Sequence, residues 1–221
     1  MEDGKLMIEA IYEDNHIIVV IKKPNIPVQK DESGDIDLLT MIKFYLKEKY
    51  NKPGNVYLGL VHRLDRPVGG IMVFAKTSKA ASRISKQISE GKMKKIYYAV
   101  VEGDIKEKDI LVDYLLKNTK TNITEVNKRG KKSILEYEKI SYKDKLSLVK
   151  INLITGRSHQ IRVQFSSRNH PLVGDHKYNK NCCDKSLIAL FASSLSFFHP
   201  ITKEYLTFSL DLPNRKPFNN F

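Results

Sequence analysis

Apolar residues in this 221-residue chain fall mostly into short runs broken by turn-forming residues. Residues 8–12 and 16–22 read as two strands about the turn Glu13-Asp14-Asn15, because β-branched residues crowd both runs. Lys22-Lys23-Pro24 ends the second, since proline has no N–H to give a ladder. Beyond the polar loop at 31–35, Ile36, Leu38, Leu39, Ile42, Tyr45 and Leu46 recur at helical spacing and predict one amphipathic helix from about 36 to 49. Two further apolar runs, 58–61 and 71–76, flank a segment holding His62, Arg63, Asp65, Arg66 and the turn Pro67-Val68-Gly69-Gly70. They read as buried strands joined by a loop. Thr77-Ser78 can cap a second helix with Ala80, Ala81, Ile84 and Ile88 on its buried face and Gly91 at its end.

The second half is strand-rich. A basic lead, Lys92-Met93-Lys94-Lys95, enters a strand through Ile96, Tyr97 and Tyr98. Residues 109–142 read as irregular strands and hairpins with a basic turn at 128–132, where a phosphate grip and a merely solvated charge run are both open readings. Residues 146–154 alternate cleanly. In the stretch 155–165 the alternation of Ile161, Val163 and Phe165 suggests a strand, whereas Ser158 as a cap allows a helix, and pattern leaves both open.

Charge changes the picture. Lys and Arg number 38 against 25 Asp and Glu, a formal net charge of +13. That excess is the footprint of a polyanion partner, most simply nucleic acid, and 11 Tyr and 9 Phe offer stacking surfaces in a chain without Trp. No apolar run reaches membrane-spanning length, the start Met1-Glu2-Asp3-Gly4-Lys5 has no apolar signal core behind it, and a cytoplasmic protein is expected. The two cysteines, Cys182 and Cys183, are adjacent, which suits a reducing compartment without a disulfide framework. With His170 and His176 they are metal-ligand types in one loop, but no Cys-x-x-Cys is present and no metal is expected. Walker, dinucleotide-binding and serine-elbow motifs are absent.

Asp65 is the residue whose setting points to chemistry. A carboxylate on a short loop between stiff strands, with Arg63 and Arg66 beside it, suits catalysis; a surface ion-pair cluster on a tight turn has the same spacing. Here the motifs add information. His62-Arg63-Leu64-Asp65, a glycine turn and Ile71-Met72-Val73-Phe74-Ala75-Lys76 resemble the catalytic motif of the RluA/RluD-type pseudouridine synthases. Lys23-Pro24 resembles that family's first motif, Lys95-Ile96-Tyr97-Tyr98-Ala99 its second, and Thr155-Gly156-Arg157-Ser158-His159-Gln160-Ile161-Arg162 its third. His170-Pro171-Leu172-Val173-Gly174-Asp175 and the segment 188–200 resemble its later loop and closing strand. Five departures are visible: Ile26 where glycine often follows the Lys-Pro pair, Val68-Gly69-Gly70 where Thr-Ser-Gly is usual, Ser158 for threonine, Gln164 where a histidine is usual, and Phe191 for another histidine.

The resemblance implies one α+β domain over residues 1–221, with a mixed, mostly antiparallel sheet and flanking helices, in the short form without an N-terminal RNA-binding domain. It implies an RNA uridine isomerase needing no cofactor, with ribosomal RNA, the commoner substrate among close relatives, expected ahead of transfer RNA, and with a monomer as the default state. Asp65 would be the catalytic carboxylate, Tyr97 would stack on the target base, and Arg162 would pair with the carboxylate. Arg63 would help fill the space the flipped base leaves, Leu190 would wall the base pocket, and His62, Arg157 and Lys23 would belong to the RNA-contacting set. An RNA-binding module without catalysis explains the charge and the tyrosines but not the Asp65, Tyr97 and Arg162 set. A hydrolytic glycosidase or nuclease wants a second carboxylate or a metal cluster, and neither has an obvious candidate beside Asp65.

Overall fold

A computed structural model describes residues 8–180, 182 and 186–221. The acidic start at residues 1–5 and Cys183 of the adjacent pair lie outside the described residues. The chain forms two compact units: 1–93 with 195–208, and 94–194 with 209–221.

The first unit is built on β1 (Glu9–Glu13), β2 (Ile17–Lys22), β3 (Gly59–Leu60) and β4 (Gly69–Ala75). β2 lies antiparallel to β1 on one side and to β4 on the other, and β3 adds a two-residue pairing to β4. Ile17, Ile18, Val19 and Val20 are fully buried, and so is β4 from end to end. A strand buried on both faces reads as a continuous apolar run, which is why periodicity alone could not orient these two. Helix α1 (Leu38–Lys49) starts two residues later than the spacing predicts. Asp37 is its cap and accepts from the Thr40 N–H at 2.9 Å, so Ile36 falls outside the helix and is exposed. Helix α2 (Ser78–Ser89) is capped by Thr77 and packs Ala80 and Ile84 inward, with Arg83 turned to the Pro200 carbonyl.

The second unit is an antiparallel run in the order β5 (Lys94–Glu102), β9 (Leu146–Leu153), β8 (Lys131–Lys143), β6 (Lys108–Asn118), β7 (Ile123–Val126). The basic turn at 128–132 carries the chain from β7 to β8, which pair with β6 on its two sides, and within it the Gly130 N–H donates to the Asn127 carbonyl. The segment left open between strand and helix is a short helix, α3 (Gln160–Ser166), with Ile161, Val163 and Phe165 all buried. His159 precedes it at φ 52°, in the left-handed region, so the chain turns sharply before the helix begins. β10 (Leu190–Phe198) and β11 (Tyr205–Ser209) complete the strands. The architecture is α+β and mostly strand, as expected. Among the described residues no helix is long and apolar enough to cross a membrane.

Candidate active site

In the first unit the residues between β3 and β4 form a loop held at several points. His62 Nε2 accepts the Val73 backbone N–H at 3.1 Å, which ties the loop's entry to the middle of β4. An accepting Nε2 is unprotonated, so the structure gives His62 a scaffold contact. Leu64 and Val68 are buried and pin the loop from below. The Val68 N–H closes a turn on the Asp65 carbonyl at 3.0 Å, and the Arg66 carbonyl accepts the Asn25 N–H at 2.9 Å. Asp65 is half-buried between these anchors, with Arg63 exposed beside it. Arg63 Nη1 reaches Gln29 at 3.5 Å. Arg66 turns to the acidic loop, pairing with Asp35 and, at 3.4 Å, with Asp31.

At the departing turn Val68-Gly69-Gly70 the backbone passes close to the Lys-Pro turn. A Cβ on Gly69 would stand 3.1–3.2 Å from the Pro24 ring and the Lys22 carbonyl, a tight fit against the Lys-Pro turn that glycine avoids. Gly70 has φ 130°, which also favours glycine.

Lys23, the lysine expected here, is exposed. Its neighbour Lys22 is not: it is 1% exposed, and its ammonium donates to the carbonyls of Lys23, Arg66 and Val68 at 3.1, 2.8 and 2.7 Å. Burial pushes it down to about 7, while the negative charge of Asp65 pulls it up and Arg66 pulls it down. Sequence reasoning missed Lys22. The one signal available was a lysine ending a strand that is otherwise wholly apolar.

In the second unit Tyr97 sits in the interior of β5, 7% exposed, opposite Ile151 of β9. Leu190 is buried at the head of β10. Arg162 is buried on α3 and donates from Nε and Nη2 to the two oxygens of Asp175, at 2.8 and 2.7 Å. Its guanidinium also lies 5.1 Å from the Tyr178 ring centre. Asp175 is 1% exposed and accepts in addition the N–H groups of Lys177 and Tyr178. The bidentate pair orients the arginine. The Gly-Asp loop was visible in the sequence, but nothing local told that its carboxylate would meet Arg162. Arg157 is exposed, its Nε donating to the Lys132 carbonyl at 3.2 Å, which sets it beside the basic turn.

Gln164 is a fully buried link. It accepts from Gln160 at 3.0 Å and donates to Asp113 at 2.8 Å and to the Leu111 carbonyl at 3.2 Å. Gln160 in turn holds Thr155, the Arg157 N–H and the Ile134 carbonyl. This chain of amides locks the turn that opens α3 onto β6 and β8. An amide supplies the donor and the acceptor that these contacts need at every pH, a demand that a titrating imidazole meets less evenly.

Residues 16–167 match the RNA pseudouridylate synthase family. A ribosomal large subunit pseudouridine synthase C from Buchnera aphidicola is 32% identical over 216 residues, covering 91% of this chain and 66% of that protein. A ribosomal large subunit pseudouridine synthase D from Zymomonas mobilis is 31% identical over 228 residues, covering 96% of this chain and 71% of that protein. In fold, the human RNA pseudouridylate synthase domain containing 4 superposes with a TM-score of 0.77 at 20% identity, covering 93% of this chain and 89% of that one. The chain belongs to the RNA pseudouridine synthase family. It spans roughly two thirds to three quarters of the length of the curated relatives it matches.

Proposed function

We propose that the protein isomerises uridines of ribosomal RNA to pseudouridine with Asp65 as the catalytic carboxylate. The observation that carries this reading is the setting of Asp65 within a family of RNA pseudouridine synthases: a half-buried carboxylate on a loop anchored at both ends, with a buried ammonium behind it. The relatives named as ribosomal large subunit synthases point to ribosomal RNA.

The reaction breaks the N1–C1′ bond of uridine, turns the uracil and joins C5 to C1′. The proton on C5 is lost, N1 ends protonated, and nothing is oxidised. An ionised carboxylate serves either by stabilising a cationic sugar or by adding covalently to sugar or base. Both demand a charged carboxylate. A uridine within folded RNA must leave its stack before a protein group can reach C1′. Tyr97 keeps the stacking role its motif implies, Arg162 that of supporting the carboxylate's charge, and Leu190 that of an apolar wall. Arg63, Arg157 and Lys23 are exposed cations suited to backbone phosphates, and the net charge of +13 strengthens that attraction without choosing a sequence. His62 supports the loop through Val73 rather than presenting Nε2 to RNA. The working place of such an enzyme is the cytoplasm.

The test is tritium release from [5-³H]uridine-labelled RNA taken from a strain lacking the gene. Wild-type protein releases tritium and Asp65→Asn does not. Equal release by both would overturn the assignment of Asp65.

A further inference from the structure

The loop that carries Asp65 rests on a side chain that the reaction scheme leaves unused. Lys22 ends β2 opposite Gly70 of β4, so no side chain lies across from it in the sheet. Its stem is buried and its ammonium meets three carbonyl oxygens. Two of them, Arg66 and Val68, belong to the turn that follows Asp65, one and three residues beyond the carboxylate. Three acceptors around one nitrogen call for three N–H donors, which an ammonium has and a neutral amine lacks. The charged groups acting on it are Asp65 and Arg66; Pro24 and Asn25 of the adjoining loop carry no charge.

We propose that Lys22 is a positioning residue for catalysis, its ammonium fixing the turn behind Asp65 and placing a positive charge beside that carboxylate. This rests on the reading of Asp65 as the catalytic group. The ammonium acts twice. Bonds to the Arg66 and Val68 carbonyls set the direction in which Asp65 leaves the loop, and small errors in that direction are costly to a reaction that depends on placement. It also places positive charge beside the carboxylate, whose negative charge in turn favours a protonated Lys22. Burial works against the ammonium's charge, which leaves the lysine poised near neutrality. As pH rises through about 7, loss of a proton removes one donor from the carbonyl cluster and the charge from beside Asp65. A lysine one position further on, Lys23, points to solvent and does neither.

Two measurements test this on the full-length protein. The first is tritium release from the same labelled RNA by wild type, Lys22→Met, Lys22→Gln and Asp65→Asn across pH 6–9. The expected result is a kcat about tenfold or more lower for Lys22→Met with KM within twofold, and loss of the wild-type limb near pH 7. The second follows ¹³Cε-lysine resonances by NMR against pH in wild type and Asp65→Asn. A lysine titrating near neutrality in wild type should move to a lower midpoint in Asp65→Asn, and this holds even if both Lys22 variants fail to fold. If Asp65→Asn is inactive while Lys22→Met keeps wild-type kcat and pH profile, the role of Lys22 is overturned and that of Asp65 stands. A Lys22→Met protein altered only in its melting, or no lysine resonance responding to Asp65→Asn, overturns it equally. Full activity of Asp65→Asn would instead remove the reading on which the proposal rests.

Discussion

Asp175→Ala is the substitution whose cost follows most directly from the structure. Arg162 and Asp175 are 5% and 1% exposed, and their pair is bidentate with both N···O distances below 2.9 Å. Removing the carboxylate takes both oxygens from Nε and Nη2 of a buried guanidinium and strips the acceptor from the Lys177 and Tyr178 N–H groups. Breaking a buried pair by deleting one partner costs about 3–5 kcal/mol, because the remaining charge stays where water cannot reach it. For a chain of this size, each kcal/mol lowers the melting temperature by about 2–4 °C, so a fall of about 6–20 °C is expected. Asp175→Asn should lose less, since its amide oxygen can still accept the two backbone N–H groups while its NH2 faces the arginine. The assay is thermal and urea denaturation followed by circular dichroism on all three proteins. A melting point for Asp175→Ala within about 2 °C of wild type would refute the argument that this pair holds α3 and its loop together.

Three further outcomes are expected. Glu13 is buried, which raises its carboxyl, but hydrogen bonds from Lys49, Lys76, Tyr50 and Tyr45 outweigh that and bring it down to about 2. Its contribution is therefore full above about pH 4.5 and lost as pH falls through about 2; Glu13→Gln should cost about 3 kcal/mol at pH 7 and flatten acid denaturation over that window. Gly69→Ser, which restores the residue usual at this place in related motifs, should destabilise by about 1–3 kcal/mol in urea, because the new Cβ meets the Pro24 ring and the Lys22 carbonyl. The double substitution Asp31→Asn, Asp35→Asn frees Arg66 from its two acidic partners, and filter binding should show tighter RNA binding with a steeper dependence on salt.

What the sequence made legible tracks what is local. The cap at Thr77, the buried β4 and the alternation of β9 are decided by neighbours in the chain, and they lie where patterning places them, whereas the cap at Asp37 falls inside the start that the apolar spacing predicts. Segment 160–166 was ambiguous because α3 is buried all round: Ile161, Val163 and Phe165 go inside, and so do Gln160, Arg162 and Gln164 between them. A helix without a polar face carries no helical period to read. The motif residues were legible as types but not as contacts. Lys22 and Lys23 are indistinguishable by composition, and only the return of the chain at Arg66 and Val68 makes one of them an interior cation. The tie of His62 to Val73, eleven residues on, is likewise a contact that no local pattern reveals. Asp175 needed the fold, since its partner stands thirteen residues back on another element.

The central claim is that Asp65 performs uridine isomerisation. It is tested most directly by mapping pseudouridines, through carbodiimide-dependent reverse-transcription stops, in RNA from the host strain, from a deletion, and from the deletion carrying wild-type or Asp65→Asn protein at equal levels. At least one ribosomal site is expected to vanish on deletion, return with wild type and stay absent with Asp65→Asn. A site that returns in full with Asp65→Asn would contradict the claim.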